Sequence, residues 1–324
     1  MTYFPPIVAL LITVSVIAFI LKSKLGKSVQ DIPNERSLHS KPVPRTGGIG
    51  LLLGVFAAWS LILTSLAWWL VLPLLGLFAV SLLDDIHGLP VKKRLLVHLV
   101  AAAILVLGAG VTVQHGWLAA AILFFFGVWM TNLYNFMDGS DGLAGGMALF
   151  GFASYGIAAL LAQDEVLALS NLTIAAAAFG FLIYNFHPAK IFMGDAGSIP
   201  LGFLAAGMGL WGWLRGDWAA WFPLLVFSPF IVDATVTLAK RSLRGVKITE
   251  AHREHYYQRT VQMGWSHRNV AVLEYILMLG VGVSALWMRS DVFPWPTLLG
   301  WLGIYGALML IVDMQWKKFN RAEL

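Results

Sequence analysis

The chain has 324 residues, of which 59% are apolar and 12% are charged, about half the charged share of an average soluble domain. This composition excludes an ordinary water-facing surface and favours an integral membrane protein. The net charge of +5 does not indicate nucleic-acid binding, because the basic residues lie in short segments between apolar runs. Cysteine is absent from the sequence, which excludes disulfides and thiolate metal sites.

Eleven apolar runs follow one another along the chain, and each is close to the roughly 20 residues that a helix needs to cross a bilayer. They cover residues 3–21, 47–66, 67–83, 95–113, 117–136, 143–162, 166–186, 199–214, 218–239, 270–288 and 295–312. The first run is predicted to be a retained helix rather than a signal peptide, because its lysines follow the apolar residues instead of preceding them. We therefore predict an all-α polytopic membrane protein with one transmembrane catalytic domain over residues 1–324.

The basic residues predict the orientation of these spans. Of the 22 Lys and Arg residues, 20 lie in segments that would share one side of the membrane, namely 22–46, 84–94, 137–142, 187–198, 240–269 and the tail from Asp313. Positively charged loops stay in the cytoplasm, so this side is predicted to be cytoplasmic, with the N-terminus outside and the C-terminus inside. The prediction depends on a break at Ala67–Trp68, because merging the second and third spans would invert everything that follows.

Two of the predicted cytoplasmic segments carry clusters of polar residues at helix ends. Asp84 and Asp85 close the third span, where a solvated helix end is the alternative to a metal or phosphate site. The fifth span ends in Asn132-Leu133-Tyr134-Asn135-Phe136-Met137-Asp138-Gly139-Ser140-Asp141-Gly142. A helix C-cap would explain one Asn and one Gly, but not two Asn and two Asp within ten residues. We therefore predict that these amides and carboxylates converge on a polar ligand.

A third cluster follows the seventh span, from Asn185 to Ser198. Its Gly-Asp-Ala-Gly-Ser turn opens the next helix, whose free N–H groups suit an anion. Asp195 in that turn suits Mg²⁺, which prefers a few carboxylates together with phosphate oxygens. The alternative is an ordinary turn in which Gly ends one element and Asp begins the next.

The remaining candidates lie in the last and first cytoplasmic loops. Asp233 is inside the ninth span, where it is either a functional group or a structural partner of Lys240 or Arg241. The long loop after it carries His252, Arg253 and His255, which could clamp a diphosphate; the two histidines alone would be only a weak zinc signal. In the first loop, a Pro-rich approach to Gly47-Gly48 could present Lys41 or Arg45 to an anion.

In this order along the chain, these motifs resemble the polyprenyl-phosphate N-acetylhexosamine-1-phosphate transferases. This family includes the phospho-MurNAc-pentapeptide translocase and the enzymes that initiate O-antigen or enterobacterial common antigen synthesis. The motifs are Lys41 to Gly48, Asp84–Asp85, Asn132 to Gly142, Asn185 to Ser198, Asp233, and His252 to Gln258. The sequence His255-Tyr256-Tyr257-Gln258 replaces a denser histidine cluster, which is similar to the O-antigen and exopolysaccharide branch and argues against the peptidoglycan enzyme.

The resemblance implies transfer of a sugar 1-phosphate from a UDP-sugar to undecaprenyl phosphate, with release of UMP, in the bacterial inner membrane. Mg²⁺ or Mn²⁺ would be the cofactor, and no nucleic acid would be a partner; a homodimer and the choice between direct attack and a covalent intermediate are left open. The resemblance implies that Asp84 and Asp85 lie at the lipid phosphate and that Asp195 binds the metal. The nucleotide site would be lined by Asn135, Asp138 and Asp141, with Phe192 stacked on uracil and Asn185 also in contact with the nucleotide. The phosphates would be contacted by Lys41, Lys92 and His255.

The main alternative is a secondary transporter, because many helices and an intramembrane Asp233 would also fit a coupled carrier. Such transporters are usually built from repeated halves whose broken helices meet at the membrane midplane. In this sequence the polar motifs lie at one predicted membrane face and no repeat is visible. The sequence therefore favours the enzyme.

Overall fold

The computed structural model describes residues 4–24, 26, 29–33, 38, 41–247, 252–289 and 291–322. The described chain is almost entirely helical. Its helices are α1 (Phe4–Lys22), α2 (Gly47–Trp59), α3 (Trp68–His87), α4 (Val91–Gly108), α5 (Val111–Phe136), α6 (Leu143–Leu161), α7 (Glu165–Asn185), α8 (Asp195–Arg215), α9 (Trp221–Val226), α10 (Ser228–Leu243), α11 (Tyr256–Gln262), α12 (His267–Trp287) and α13 (Trp295–Ala322).

Within the described ranges, nine helices are long and apolar enough to cross a membrane, judged by length and composition. They are α1, α2 with the 3₁₀ turn that extends it to Ser65, α3, α5, α6, α7, α8, α12 and α13. Many of their side chains are large, apolar and exposed, as expected for a surface that faces lipid; Leu118, for example, is 77% exposed. The predicted all-α polytopic architecture is confirmed.

The break on which the predicted orientation depends is present. The 3₁₀ turn Ser60–Ser65 ends α2, and the backbone is extended at Leu66 (ψ 144°) and Ala67 (ψ 122°) before α3 begins at Trp68. The second and third apolar runs are therefore two helices and not one.

Two predicted spans differ from the helices that the structure contains. The run predicted at 95–113 is helical over Val91–Gly108. Because of the basic residues in its first turn, α4 is not among the nine helices of the described chain that are apolar enough to cross a membrane by composition. The run predicted at 218–239 is divided into α9 and α10 at Phe227, which precedes Pro229 in the first turn of α10. Proline lacks an N–H group and ends one helix while allowing the next to begin.

Helix α4 nevertheless runs the whole length of the bundle beside α3. At its start, Arg94 reaches Asp84 near the end of α3, with 2.8 Å between the guanidinium and the carboxylate. At its other end, a Cβ on Gly108 would lie 2.5 Å from the Cβ of Trp69 at the start of α3. The two helices are therefore antiparallel along their full lengths.

The α9–α10 pair also connects the two ends of the bundle. At the start of α9, the Trp221 indole donates to the carbonyl of Asp291, 3.2 Å away, in the loop between α12 and α13. At the end of α10, Arg241 and Arg244 pair with Glu254, close to α11. All the polar motifs predicted from the sequence lie toward this second end.

The centre of the bundle consists of α8 with α2, α3, α5 and α6 around it. About nine-tenths of the span Asp195–Arg215 is buried (89%). Glycines allow the close approach: a Cβ on Gly48 would lie 2.3 Å from the backbone nitrogen of Gly197, which no side chain can tolerate. The starts of α2 and α8 are thus packed backbone against backbone.

Backbone hydrogen bonds fix the segment between α1 and α2 to this centre. Strand β1 (Gln30–Asp31) pairs antiparallel with β2 (Val43–Pro44). Phe192 N–H donates to the carbonyl of Pro44 at 2.7 Å, and Gly47 N–H donates back to the carbonyl of Phe192 at 2.9 Å. The segment before α2 and the segment before α8 therefore hold each other in register.

Candidate active site

A cavity of about 310 Å³ opens where the ends of α3, α5 and α7 meet the start of α8. Five aspartates contribute to its wall, namely Asp31, Asp85, Asp138, Asp141 and Asp195. The full lining consists of Asp31, Leu38, Arg45, Asp85, Asn135, Asp138, Gly139, Ser140, Asp141, Asn185, Phe192, Gly194, Asp195, Gln258 and His267. Eight of the predicted site residues are therefore brought together: Arg45, Asp85, Asn135, Asp138, Asp141, Asn185, Phe192 and Asp195.

The two adjacent aspartates at the end of α3 have different surroundings. The Asp85 carboxylate accepts hydrogen bonds from the first backbone N–H groups of α8, at 3.1 Å from Asp195 and 2.8 Å from Ala196. Arg45 donates to the backbone carbonyl of Asp85 at 2.7 Å and lies 3.8 Å from its carboxylate. Asp85 thus occupies the N-terminus of α8, where a negative charge is stabilised by the helix dipole.

Asp84 lies between α4 and the carboxylate of Asp195 at the start of α8. Its carboxylate accepts from the N–H of Leu89 and from the Arg94 guanidinium, the latter at 2.8 Å. It is 6% exposed and does not line the cavity. The carboxylate therefore closes the end of its own helix and orients an arginine.

Arg94 connects this aspartate to the predicted metal ligand. The same guanidinium nitrogen that bonds Asp84 lies 3.1 Å from the Asp195 carboxylate. The second Asp195 oxygen accepts from the amide of Asn135 at 2.8 Å, and that amide also donates to Ser198 at 2.9 Å. One cation and one amide therefore hold the carboxylate at the start of α8 in place.

Asp138 also lines the cavity, near the negative charges of Asp85 and Asp195. Burial raises the pKa of Asp138 well above its usual value, and the negative charges of Asp195 and Asp85 raise it further. A site that opposes ionisation of its own carboxylates is a site that a cation would stabilise. Asp138 and Asp195 therefore present oxygen ligands of the kind that Mg²⁺ prefers.

Among the described residues, no group of three or more His, Cys, Asp or Glu side chains could hold a metal ion by itself. Mg²⁺ does not require such a group, since it commonly binds through one or two carboxylates together with substrate phosphates. The donor set of this cavity fits that second kind of site.

At the other end of the cavity, Asp141 and two histidines join the loops. Asp141 accepts from the N–H of Ala189 at 3.1 Å and lies 2.7 Å from His187 Nδ1. The rings of His187 and His267 are stacked, with centroids 5.6 Å apart. His267 Nδ1 is in turn 2.7 Å from the hydroxyl of Ser140. This wall presents flat rings and hydroxyl groups rather than a dense charge.

Asn185 has both of its polar atoms bound to the backbone. Its carbonyl oxygen accepts from Gly142 N–H at 3.0 Å, and its amide nitrogen donates to the carbonyl of Ile191 at 2.9 Å. The side chain thus ties together the loops after α5 and α7. Its predicted contact with a nucleotide would add to this structural role.

Of the described segment from His252 to Gln258, Gln258 lines the cavity. His255 is the N-cap of α11, is 2% exposed and stacks on Phe136, with ring centroids 6.4 Å apart. Tyr257 donates its hydroxyl proton to the carbonyl of Phe136 at 3.2 Å. Tyr257 therefore joins α11 to the end of α5, while Gln258 is the member of this segment that faces the cavity.

Asp233 does not form either of the ion pairs considered from the sequence. Its carboxylate accepts from the backbone N–H groups of Tyr256 at 2.9 Å and Tyr257 at 3.1 Å, and it lies 3.3 Å from His255 Nδ1. Lys240 and Arg241 pair instead with Asp313 and Glu254. Asp233 thus holds the N-terminus of α11, one layer behind the cavity.

Five other predicted residues lie outside the cavity lining. Asn132 bonds the carbonyl of Val128, one turn back in its own helix, and lies 3.3 Å from His98. The side chains of the other four are exposed or, for His252, half-buried; they are Lys41, Lys92, Arg253 and His252. Burial lowers the pKa of His252 to about 4, with the charges of His255 and Arg241 acting in the same direction.

The residues that the fold brings to the site but that the sequence prediction does not include are, among others, Asp31, Gln258, Arg94 and His267. Arg94 lies two residues after Lys92 at the basic start of α4, and the prediction names Lys92 as the phosphate contact. In the structure Arg94 is the residue of this pair that binds the acidic helix ends, through Asp84 and Asp195. His267 follows the helix N-cap Ser266, and a lone histidine at a helix start carries no sequence signal of its own.

Comparison with known sequences identifies the class of protein that has this fold and site. The model of glycosyl transferase family 4 matches residues 67–212. Decaprenyl-phosphate N-acetylglucosaminephosphotransferase of Mycobacterium leprae is 30% identical over 308 residues, covering 81% of this chain and 76% of that protein. The chain therefore belongs to the family of polyprenyl-phosphate N-acetylhexosamine-1-phosphate transferases, as the resemblance indicated.

Other relatives represent both branches of that family. The probable undecaprenyl-phosphate N-acetylglucosaminyl 1-phosphate transferase of Bacillus subtilis is 29% identical over 325 residues, covering 94% of this chain and 88% of that protein. Phospho-N-acetylmuramoyl-pentapeptide-transferase of Moorella thermoacetica is 35% identical over 232 residues, covering 60% of this chain and 70% of that protein.

Proposed function

We propose that this protein transfers an N-acetylhexosamine 1-phosphate from a UDP-sugar to undecaprenyl phosphate, forming a polyprenyl-diphosphate sugar and UMP. The observation that carries the proposal is the cavity at one end of an apolar helix bundle, where Asp138 lines the wall, Arg45 lies 3.8 Å from Asp85 and Arg94 lies 3.1 Å from Asp195. Two phosphates must meet in this reaction, and a site with carboxylates for a divalent cation and guanidinium groups for phosphate oxygens is suited to bring them together.

In the proposed reaction, an oxygen of the lipid phosphate attacks the β-phosphorus of the UDP-sugar. The new bond joins the lipid oxygen to that phosphorus, and the bond from the phosphorus to the bridging oxygen breaks, so that UMP leaves with the bridging oxygen. Arg94 and Arg45 neutralise the charge that develops on the phosphates. Asp84, which orients Arg94 from the α4 side and does not line the cavity itself, is proposed to meet the lipid phosphate on that side, where it takes the last proton of the phosphate or keeps it deprotonated. Bound Mg²⁺, held by Asp195 with Asp138 beside it, would supply further neutralisation of phosphate charge.

The lipid has an apolar route to the cavity along α5. Leu118, Ile122 and Phe125 form an exposed stripe on one side of this helix, and each is at least 61% exposed. The same helix ends beside the site, where Asn135 binds Asp195. A prenyl chain lying against this stripe in the membrane would place its phosphate at the level of the aspartates.

The proposed topology has eleven membrane crossings, with the N-terminus in the periplasm, the C-terminus in the cytoplasm and the cavity on the cytoplasmic side. Helix α4 and the α9–α10 pair supply the two crossings beyond the nine apolar spans, since both run between the two ends of the bundle. Cysteines at His87 and Ser242 should be labelled only from the cytoplasm, and one at Asp291 only from outside. Labelling of position 87 in intact cells by an impermeant reagent would contradict the topology.

We further propose that the reaction initiates synthesis of O-antigen, lipopolysaccharide or a related envelope polysaccharide. The support is the segment His255-Tyr256-Tyr257-Gln258, in which Gln258 and not a histidine faces the cavity. The purified protein should be offered UDP-GlcNAc, UDP-QuiNAc, UDP-FucNAc and UDP-MurNAc-pentapeptide with undecaprenyl phosphate and Mg²⁺. Mass spectrometry of the lipid product should show an N-acetylhexosamine; a product from the MurNAc-pentapeptide donor alone would overturn the assignment.

A further inference from the structure

The last helix, α13, contacts the rest of the protein through buried Tyr305, whose hydroxyl lies 2.7 Å from that of Ser228, and through Asp313 near its proposed cytoplasmic end. Only 6% of its membrane-spanning window is buried. Asp313 nevertheless binds three side chains of the neighbouring segments. Its carboxylate accepts from Lys240 at 2.5 Å, from Arg259 at 3.1 Å and from the Tyr256 hydroxyl at 3.3 Å.

These three partners surround α11, the short helix that brings Gln258 to the cavity. Tyr256 and Arg259 belong to α11, and Lys240 lies in the last turn of α10. The Arg259 guanidinium lies over the Tyr256 ring at 5.2 Å and over the Trp316 ring at 5.8 Å, so the arginine is enclosed by one aromatic ring from each helix. Arg259 is 6% exposed, which makes its pairing with a carboxylate important for its position.

Helix α11 therefore has two acidic anchors on two different elements. Asp233 in α10 holds its N-terminus through the backbone N–H groups of Tyr256 and Tyr257. Asp313 in α13 holds its side chains. A seven-residue helix cannot fix its own position, since isolated helices of this length are marginal in water.

We propose that Asp313 is a positioning residue that holds α11, and with it Gln258, against the cavity during sugar-phosphate transfer. Asp313 lies outside the cavity lining, so it touches no reacting atom in the proposed reaction. The inference rests on the proposed function for its kinetic consequence. Its structural consequence, the placement of α11 by α13, is independent of that function.

The kinetic test compares Asp313→Asn with Asp313→Glu and with Lys317→Gln, a control at an exposed position of the same helix. Displacement of a positioned group by about 1 Å costs on the order of 10²-fold in rate, so Asp313→Asn should lower kcat by roughly 10- to 100-fold. Calorimetric affinity for UMP should stay within about twofold, because the predicted nucleotide contacts lie on other elements. Asp313→Glu, which keeps the charge, should recover part of the lost kcat, and Lys317→Gln should match the parent.

The structural test uses the absence of cysteine from the chain, which makes paired spin labels specific. Nitroxides at Met263→Cys and Gln315→Cys report the distance between α11 and α13 in the full-length protein. The parent and the Lys317→Gln protein should give one narrow distance distribution, and Asp313→Asn should broaden it. If Asp313→Asn does not fold, the distance distribution of Asp313→Glu tests the proposal instead, and its width should lie between those of the parent and of a protein without the contact.

The proposal requires both results. A normal kcat, or a narrow distance distribution in Asp313→Asn, overturns it, as does an equal loss in Lys317→Gln. If the parent transfers no sugar phosphate from any UDP-sugar, the proposed function fails, while the distance measurement still decides whether Asp313 positions α11.

Discussion

The two sides of the cavity are held in different ways. On the side formed by α2, α3, α5 and α8, the helix ends are packed backbone to backbone, as at Gly48 and Gly197, and α8 is nine-tenths buried. On the side formed by α10, α11 and α13, charged side chains of α10 and α13 hold the short helix α11, and the membrane-spanning window of α13 is 6% buried. Helix packing therefore fixes the position of the proposed phosphate site, whereas the position of Gln258 in α11 depends on a few polar contacts.

The first prediction concerns the packed side and has the largest expected effect. Asp195→Asn should remove the carboxylate proposed to hold Mg²⁺ and lower kcat by about 10³-fold or more, because a bound metal supplies several kcal/mol of stabilisation to a phosphoryl transition state. Transfer of labelled sugar phosphate in purified protein measures this loss. The matched control is Asp291→Asn at the opposite end of the bundle, which should retain full activity.

Excess EDTA should abolish activity in the parent protein, and added Mg²⁺ or Mn²⁺ should restore it. Full turnover in EDTA would contradict the metal requirement. Normal turnover in a folded Asp195→Asn protein would contradict only the choice of ligand.

The second prediction separates the two aspartates at the end of α3. Asp84→Asn should lower kcat by roughly 10²- to 10⁴-fold, the range for a positioned acid or base, while UDP-sugar binding persists. Asp85→Asn should in addition lower the midpoint of thermal unfolding, because Asp85 caps the buried helix α8. Single-turnover rates, calorimetric titration with UDP-sugar and thermal unfolding of both variants give the three readouts.

Two outcomes would show that these roles are wrong. Near-normal turnover of Asp84→Asn, or loss of nucleotide binding together with catalysis, would remove its role at the lipid phosphate. Equal unfolding midpoints for the two variants would remove the capping role given to Asp85.

Much of this packed side could be predicted from the sequence. The motifs at Asp85, Asn135, Asp138 and Asp195 combine charged or amide groups with glycine at apolar helix ends, where membrane burial is costly without a function. The structure brings all four to one cavity. Local patterns were sufficient because these residues lie at the ends of α3 and α5 and at the start of α8, which meet at one end of the bundle.

The polar side was harder to predict, because its contacts are distant in sequence. Asp233 was considered as a partner of Lys240 or Arg241, its neighbours along α10, but it binds the backbone of α11, more than twenty residues away. The prediction of one span over 218–239 also missed the division at Phe227. A pattern of apolar residues does not show where two short helices replace one long helix.

The third prediction compares the packing of the two sides through the effect of a glycine-to-alanine substitution on stability. Gly48→Ala should destabilise the protein by about 1–3 kcal/mol, because the new Cβ would meet the backbone of Gly197. Gly303→Ala in α13 has open space around its Cβ and should stabilise by up to about 1 kcal/mol, since alanine is the better helix former. Thermal unfolding in the same detergent should therefore shift in opposite directions; equal shifts would refute the contrast in packing.

The fourth prediction has the smallest expected effect and concerns the polar side. Burial and nearby positive charge lower the pKa of His252 to about 4, below the value of about 6.5 expected in an unfolded chain. The unfolded state therefore binds more protons between these values, so stability should fall as the pH is lowered from about 6.5 to about 4. His252→Gln should weaken this dependence.

Unfolding midpoints measured across this pH range test the fourth prediction. His115→Gln is the control, because His115 stacks on Trp213 at the opposite end of the bundle. Identical pH profiles for the parent and His252→Gln would show that His252 does not contribute.

The most direct test of the central claim is mass spectrometry of both products of one reaction. Purified protein is incubated with UDP-GlcNAc or a related UDP-N-acetylhexosamine, undecaprenyl phosphate and Mg²⁺. The proposed function predicts a polyprenyl-diphosphate sugar and UMP in equal amounts, both absent with Asp195→Asn. Formation of UDP with a polyprenyl-monophosphate sugar, or no product from any donor of this class, would contradict it.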